Sequence, residues 1–353
     1  MIGLLQYGPP AAPRDPNARL EPGDTVLTIE TDELDAFYRR MLDAGTPIHR
    51  PPRTAQVGAA GRRWDSTFLF ARDPDGHLLE ISQRGPLAEL AGDVTIRREF
   101  RDSRLGQLHL RRAAPAPVAS GSRSPVVLLH QTPLSGRMFE ALLPELARDR
   151  VAYAIDTPGY GESAAPAAPP TFEEYAAAIG DVLSSLGEPA DLVGYHTGAG
   201  LAVQIAALYP ERVRRVVLFS MPLLDEAQRA RFLSLRRSAP SEDGSHLLEM
   251  WQASMRVRPP GQALDQVASI VAEKQRAGRR SEWAIKALAA ANLEGLTVPD
   301  AFLRPRDSLW DATGRAAALR PDWPLVDRED WTYGMFDADP AGVAAALRAL
   351  LDR

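Results

Sequence analysis

The stretch ADLVGYHTGAGLAVQIAALYP, residues 190–210, decides the fold. Ala190 to Tyr195 is an apolar, strand-like run. Gly194-Tyr195-His196-Thr197-Gly198 is a tight turn with glycine at both ends. From Ala199 onward the apolar residues recur with a helical period. Glycine at both ends brackets the residue at the centre of this turn between the strand and the helix. That residue is His196.

Similar units lie on both sides. PVVLLH (125–130), RVAYAIDTP (150–158) and RRVVLFSMP (214–222) are β-branched, apolar runs, and helical patterns such as FEEYAAAIGDVLSSLG separate them. Strands alternating with helices predict a parallel sheet covered on both faces, an α/β class. VTIRREF and GQLHLRRA read as an opening hairpin. Residues 225–297 hold helical stretches and no good strand, which predicts an inserted helical cap. A last strand is expected near 299–304, and PAGVAAALRALLD closes the chain as a helix.

An earlier segment reads differently. DTVLTIET (24–31) is a strand and ELDAFYRRMLDAG (33–45) a helix ending at Gly45. TPIHRPP (46–52) leads into a polar loop. STFLFA (66–71) and HLLEIS (77–82) are strands around a DPDG turn. The predicted organisation is a small α+β module over 1–88, a linker at 89–93 within RGPLAELAGD, and a large domain over 94–353.

Composition bounds the function. The chain has 353 residues, 45 % hydrophobic and 25 % charged, as ordinary globular proteins do. Cysteine is absent, which excludes disulfides, thiolate metal sites and a cysteine nucleophile. A net charge of −5 argues against nucleic acid as partner. No apolar run reaches membrane-spanning length, and MIGLLQYGPPAAPRD lacks the regions of a signal peptide. The expectation is a cytoplasmic protein that takes a small-molecule substrate, with neither nucleic acid nor membrane as partner. Only Lys274 and Lys286 are lysines, while alanine and arginine abound, a bias expected of a high-GC bacterial genome.

Five blocks of the large domain, VVLLH-QTPLSG, DTPGYGES, LVGYHTGAG, RPRDSLW and DWTYGMFDADP, together resemble the α/β-hydrolase superfamily over roughly 94–353. The resemblance implies an α/β-hydrolase fold with a helical cap and a G-x-S-x-G nucleophile elbow. Here the nucleophile position holds His196. It also implies a histidine just before the last helix, where Tyr333 stands. The six histidines are His49, His77, His109, His130, His196 and His246, and none follows 246. The acid matches at Asp307. The usual Ser-His-Asp relay therefore has no place at its usual positions.

The residues instead suggest chemistry centred on His196. It stands at a helix N-terminus, whose positive pole favours the neutral imidazole. A neutral imidazole accepts a proton or attacks an electrophile. Asp307 is expected to orient it and Tyr333 to assist. The resemblance puts an oxyanion hole at the backbone N–H groups of Gln131 and Thr197, and His130, Tyr195 and Trp310 around a substrate pocket. Each has a plainer reading: a packing or relic histidine, a capping aspartate, a buried tyrosine, a strand-end histidine and core aromatics. No organic cofactor is indicated, since the glycines form neither a dinucleotide nor a phosphate loop. Hydrolysis, or a lyase, cyclase or isomerase step on a small organic carbonyl compound of secondary metabolism, is one expectation; a catalytically degenerate small-molecule-binding or scaffold protein is the other.

The small segment, DELDAFYRRMLDAGTPI…FLFARDPDGHLLEISQRG, resembles one βαβββ module of the vicinal-oxygen-chelate (glyoxalase/bleomycin-resistance) superfamily, over about 24–84. IGLLQYGPP resembles the end of a preceding module. That family uses paired modules, so the resemblance implies packing on the large domain or a homodimer through the incomplete module. Glu80 matches the last-strand metal ligand, but Thr25 and Val26 stand where the first-strand histidine belongs. One carboxylate is a poor metal site, so no metal is expected.

Overall fold

A computed structural model describes residues 26–31, 33–59, 62–73, 77–84, 94, 96–115, 123–236, 240–259, 262–293 and 301–353. The chain divides into two units, Met1–Ala91 and Gly92–Arg353. The expected linker at 89–93, and the stretch IGLLQYGPP, lie outside the described residues.

The first unit contains β1 (Val26–Glu30), α1 (Leu34–Asp43), β2 (Ile48–Ala59), β3 (Arg62–Arg72) and β4 (Leu78–Arg84). They form one sheet in the order β1-β4-β3-β2, with β1 parallel to β4 and the other pairs antiparallel. Helix α1 brings Leu34 and Met41 onto Leu69, Ala71 and Ile81 of one sheet face. The expected loop after Gly45 is corrected: residues 48–59 are a strand despite Pro51 and Pro52. Strand β2 is an edge of the sheet, and its register shifts between Ile48 and Arg53. Proline is tolerated at such an edge because a missing N–H there breaks no ladder.

The second unit has an eight-stranded sheet of order β12-β11-β10-β9-β7-β8-β6-β5. Its strands are β5 (Arg97–Arg101), β6 (Leu108–Ala113), β7 (Arg123–Leu129), β8 (Arg150–Ile155), β9 (Ala190–Tyr195), β10 (Val213–Phe219), β11 (Ala301–Pro305) and β12 (Leu325–Arg328). The β5–β6 hairpin and β6–β8 are antiparallel, and the other pairs are parallel. Strand β12 is missing from the sequence reading. It is a four-residue edge strand of alternating exposure, too short and polar to stand out.

Helices α2 (Leu142–Leu146), α3 (Phe172–Ser184) and α4 (Thr197–Leu208) follow β7, β8 and β9. Helices α5 (Glu226–Leu233), α6 (Ser245–Arg256), α7 (Leu264–Ala277) and α8 (Trp283–Ala290) occupy the span read as a cap. Helices α9 (Trp310–Ala318), α10 (Met335–Ala338) and α11 (Pro340–Leu351) complete the unit. Two cores result. Helices α3, α4 and α8 cover one sheet face around Tyr175, Leu192 and Leu218. Helices α2 and α11 cover the other around Phe139, Val193 and Leu347. Strand β7 lies between β8 and β9, so chain direction away from it reverses there. Open α/β sheets bind ligands beyond the carboxyl ends of the strands at such a switch point. Among the described residues no helix is long and apolar enough to cross a membrane.

Candidate active site

The switch point is where His196 stands. It joins β9 to α4 with φ 52° and ψ −118°. Backbone of this kind costs about 1–3 kcal/mol in a residue with a side chain. The surroundings enforce it. A Cβ on Gly198 would strike the carbonyl of Leu129, and one on Gly194 would strike the Gly198 backbone. The His196 N–H donates to Phe219 O at 3.1 Å, and its carbonyl accepts from Ala199 N–H at 2.8 Å. Strand and helix therefore hold the turn from both sides.

The imidazole faces Asp307, two residues past β11. His196 Nε2 lies 2.9 Å from Asp307 Oδ2. The same oxygen accepts from Ser220 Oγ at 2.7 Å and Tyr195 OH at 3.3 Å, while Oδ1 accepts from Leu309 N–H at 2.8 Å. Burial disfavours charge on this carboxyl, but the bonds from His196, Ser220 and Leu309 outweigh it and hold Asp307 below the usual range. An ionised carboxylate only accepts. Nε2 thus carries a proton, and in the neutral ring the lone pair is on Nδ1. The His196 side chain is 14 % exposed and that of Asp307 1 %, so the ring reaches solvent and its anchor does not.

The other expected residues take distinct places. Tyr333 has its ring 5.8 Å from that of His196, but its hydroxyl pairs with Ser308 Oγ at 2.6 Å. Burial raises its pKa, which keeps the phenol protonated. Thr197 opens α4, so its N–H has no carbonyl within the helix to meet. Its hydroxyl pairs with Thr132 Oγ1 at 3.0 Å, which ties the elbow to the loop holding Gln131.

The pocket expectations need correction. His130 is fully buried: Nδ1 donates to Gln131 O and Nε2 accepts the Thr157 N–H, both at 2.9 Å. Burial lowers its pKa, so it is a neutral brace beneath the Gln131 loop. Tyr195 is also buried, with its ring 4.3 Å from that of His196, and it supports the site from behind. Burial, then the Asp307 charge, drives its pKa well up. Trp310 stacks under two guanidinium groups, Arg304 at 4.1 Å and Arg306 at 4.7 Å, a cation–π arrangement. Side chains with a neighbour's charge or hydrogen bond to satisfy turn inward or sideways, which spacing alone does not reveal.

Ser220 is the residue the sequence reading missed. Its only signal is a polar side chain ending an apolar strand, at the sheet end where ligands bind. A second buried cluster, also unread, centres on Asp156. Its carboxylate accepts from Gly136 N–H at 2.7 Å, from Glu162 N–H and His109 Nδ1 at 2.9 Å, and from Arg111 Nη1 at 3.2 Å. Burial opposes its charge, yet His109 and Arg111 bring its pKa to about 2. This cluster fixes the Gly136 and Gly161 turns beside the site.

In the first unit, Glu80 lies on β4 opposite Phe70 of β3. Among the described residues no three His, Asp or Glu side chains group as metal ligands. Glu80 alone does not fit the metal that its fold family uses.

Comparison with known proteins agrees with this architecture. Residues 124–294 match the alpha/beta hydrolase fold family, and residues 2–81 match the Glyoxalase/Bleomycin resistance protein/Dioxygenase superfamily. The chain carries an α/β-hydrolase domain. Its hydrolase domain resembles 2-hydroxymuconate semialdehyde hydrolase of Pseudomonas sp., 35 % identical over 106 residues, 28 % of this chain and 37 % of that protein. The N-terminal module resembles the metallothiol transferase FosB of Shouchella clausii, 48 % identical over 64 residues, 18 % of this chain and 39 % of that protein. The chain thus spans under two-fifths of each of these curated relatives. Among solved structures, an epoxide hydrolase from an endophytic Streptomyces superposes with a TM-score of 0.58 at 20 % identity, covering 73 % of this chain and 95 % of that one. At that identity the likeness is one of fold.

Proposed function

We propose that the α/β-hydrolase domain is an enzyme acting on a small organic carbonyl compound, with His196 as base or nucleophile. One observation carries the reading: the 2.9 Å bond from His196 Nε2 to Asp307 Oδ2 at a strained, partly exposed elbow. It is the orienting half of a catalytic triad, without the serine.

In the hydrolytic form, His196 Nδ1 takes a proton from water as the oxygen attacks the carbonyl carbon. The oxyanion that forms meets the N–H groups of Thr197 and Gln131. Asp307 stabilises the imidazolium. As the bond to the leaving oxygen breaks, Nδ1–H returns the proton to it. The same base on an α-proton gives a lyase, cyclase or isomerase step. The relative named a semialdehyde hydrolase supports a carbonyl substrate.

The test is turnover of short-chain and aromatic esters by the full chain, and its exchange of the α-protons of simple ketones with deuterated water. Wild type should exceed the uncatalysed rate, and His196→Ala should lose about 10²–10⁴-fold, the range of a general base. No turnover of either class, with ligand still bound, would replace the enzyme with a small-molecule-binding protein.

A further inference from the structure

Among the described residues, two that are not glycine have positive φ: His196 at 52° and Ser220 at 50°. They are neighbours by construction. Tyr195 of β9 pairs in register with Phe219 of β10, so His196 and Ser220 are the next residues on adjacent strands. Each is held by a backbone bond to the strand beside it, His196 N–H to Phe219 O and Ser220 N–H to Leu303 O at 3.2 Å. Both side chains then meet one atom, Asp307 Oδ2, at 2.9 Å and 2.7 Å.

Glycine would satisfy the backbone at Ser220 without strain. What serine adds is a hydroxyl. Ser220 is 1 % exposed, and its hydroxyl is spent on Asp307. With Tyr195 OH on the same oxygen and Leu309 N–H on the other, the carboxylate is gripped from three sides and cannot rotate away from the imidazole.

We propose that Ser220 is a positioning residue: by pinning Asp307 Oδ2 it keeps the His196 proton on Nε2 and presents Nδ1 as the reacting nitrogen. This deepens the reading of His196 given above and rests on it for its catalytic meaning. It does not rest on it for its geometry. Ser220 touches no substrate in this scheme and acts only through the carboxylate. Without its hydroxyl the carboxylate turns more freely, and the tautomer with the proton on Nδ1 gains population. That tautomer has no lone pair to offer the substrate.

Ring-nitrogen NMR of the full chain labelled with ¹⁵N-histidine reads this directly, at a pH where the imidazole is neutral. His196→Gln assigns the signals among the six histidines. Wild type should show widely separated shifts, Nε2 protonated and Nδ1 not. In Ser220→Ala and Ser220→Gly the two shifts should converge. Glycine lifts the strain at this φ, so it decides the matter if the alanine variant fails to fold. Unchanged shifts in folded Ser220→Gly, or a wild type already protonated on Nδ1, would overturn the proposal. Converging shifts in a protein that turns over no carbonyl substrate would uphold Ser220 and remove the proposed function. Turnover with unchanged shifts would do the reverse.

Discussion

His196 and Asp307 are 111 residues apart and share a 2.9 Å hydrogen bond whose carboxylate end is sealed from water. The bond fixes which nitrogen is engaged: Nε2 meets the acid and Nδ1 does not. In the familiar triad the acid holds Nδ1 and Nε2 reacts. Here the ring is turned because it hangs from the elbow itself.

Asp307→Asn should separate catalysis from stability. The amide can keep the shape but presents a donor as readily as an acceptor, so the tautomer is no longer fixed. Activity on a carbonyl substrate should fall by about 10²–10⁴-fold, as when the acid of a triad is neutralised. Steady-state kinetics beside a urea titration checks this. Undiminished activity in a folded variant would remove Asp307 from the mechanism.

Asp156 should make the hydrolase domain acid-labile. Its folded pKa, about 2, lies below the ordinary 3.8. A depressed carboxyl contributes its full stability above about pH 4 and loses it as pH falls towards 2. The shift corresponds to about 2 kcal/mol. Asp156→Asn should remove that slope and cost about 1–3 kcal/mol at neutral pH, because the amide cannot accept all the bonds that Gly136, Glu162, His109 and Arg111 donate, while Arg111 keeps Glu140 at 2.8 Å. Denaturant midpoints from pH 2 to 7 give both answers.

Asp191 should work in the opposite direction. Burial raises its pKa to about 6 despite Arg214 and Arg150 nearby. A raised carboxyl contributes stability below its ordinary range and loses it as pH climbs through 6. Between pH 4 and 7 the wild type should therefore lose stability that Asp191→Asn retains, read by the same midpoints. Parallel curves would show that Asp191 ionises normally.

Gly198→Ala should fail at the elbow. The new Cβ would meet the Leu129 carbonyl, which is backbone and has nowhere to move. A cost of about 1–3 kcal/mol is expected from overpacking. Activity should fall further than stability, because the helix start carries the Thr197 N–H away from the site. Thermal melts and kinetics together test the pairing.

Tyr160→Phe should loosen the cap. The Tyr160 hydroxyl donates to Arg280 O at 2.7 Å and accepts from Ala284 N–H at 3.1 Å, joining the loop after β8 to the start of α8. Removing it strands a buried donor, at about 1–3 kcal/mol. Hydrogen exchange should rise in α7 and α8 and stay unchanged in β7 and β9. Uniform exchange would mean the cap is held elsewhere.

The strand–turn–helix at 190–208, the alternation around it and the odd histidine at its apex were legible because they are local. Periodicity reports which side of one element is apolar, and glycine spacing reports where backbone must pass close to backbone. The βα alternation then leaves few topologies, so the fold class follows from chain order. Even the short module could be read this way, except at β2, where prolines tolerated at a sheet edge imitated a loop.

What the tertiary structure alone decided is who meets Asp307. Ser220, Tyr195 and His196 come from two strands, the acid from a third, and only sheet register brings their polar atoms to one carboxylate. Nothing local distinguishes Ser220 from any serine that ends a strand, or tells that His130 turns inward and Trp310 stacks with two arginines. Those outcomes depend on which unsatisfied donor or charge each side chain finds after the strands have aligned, a property of the packed sheet rather than of the chain.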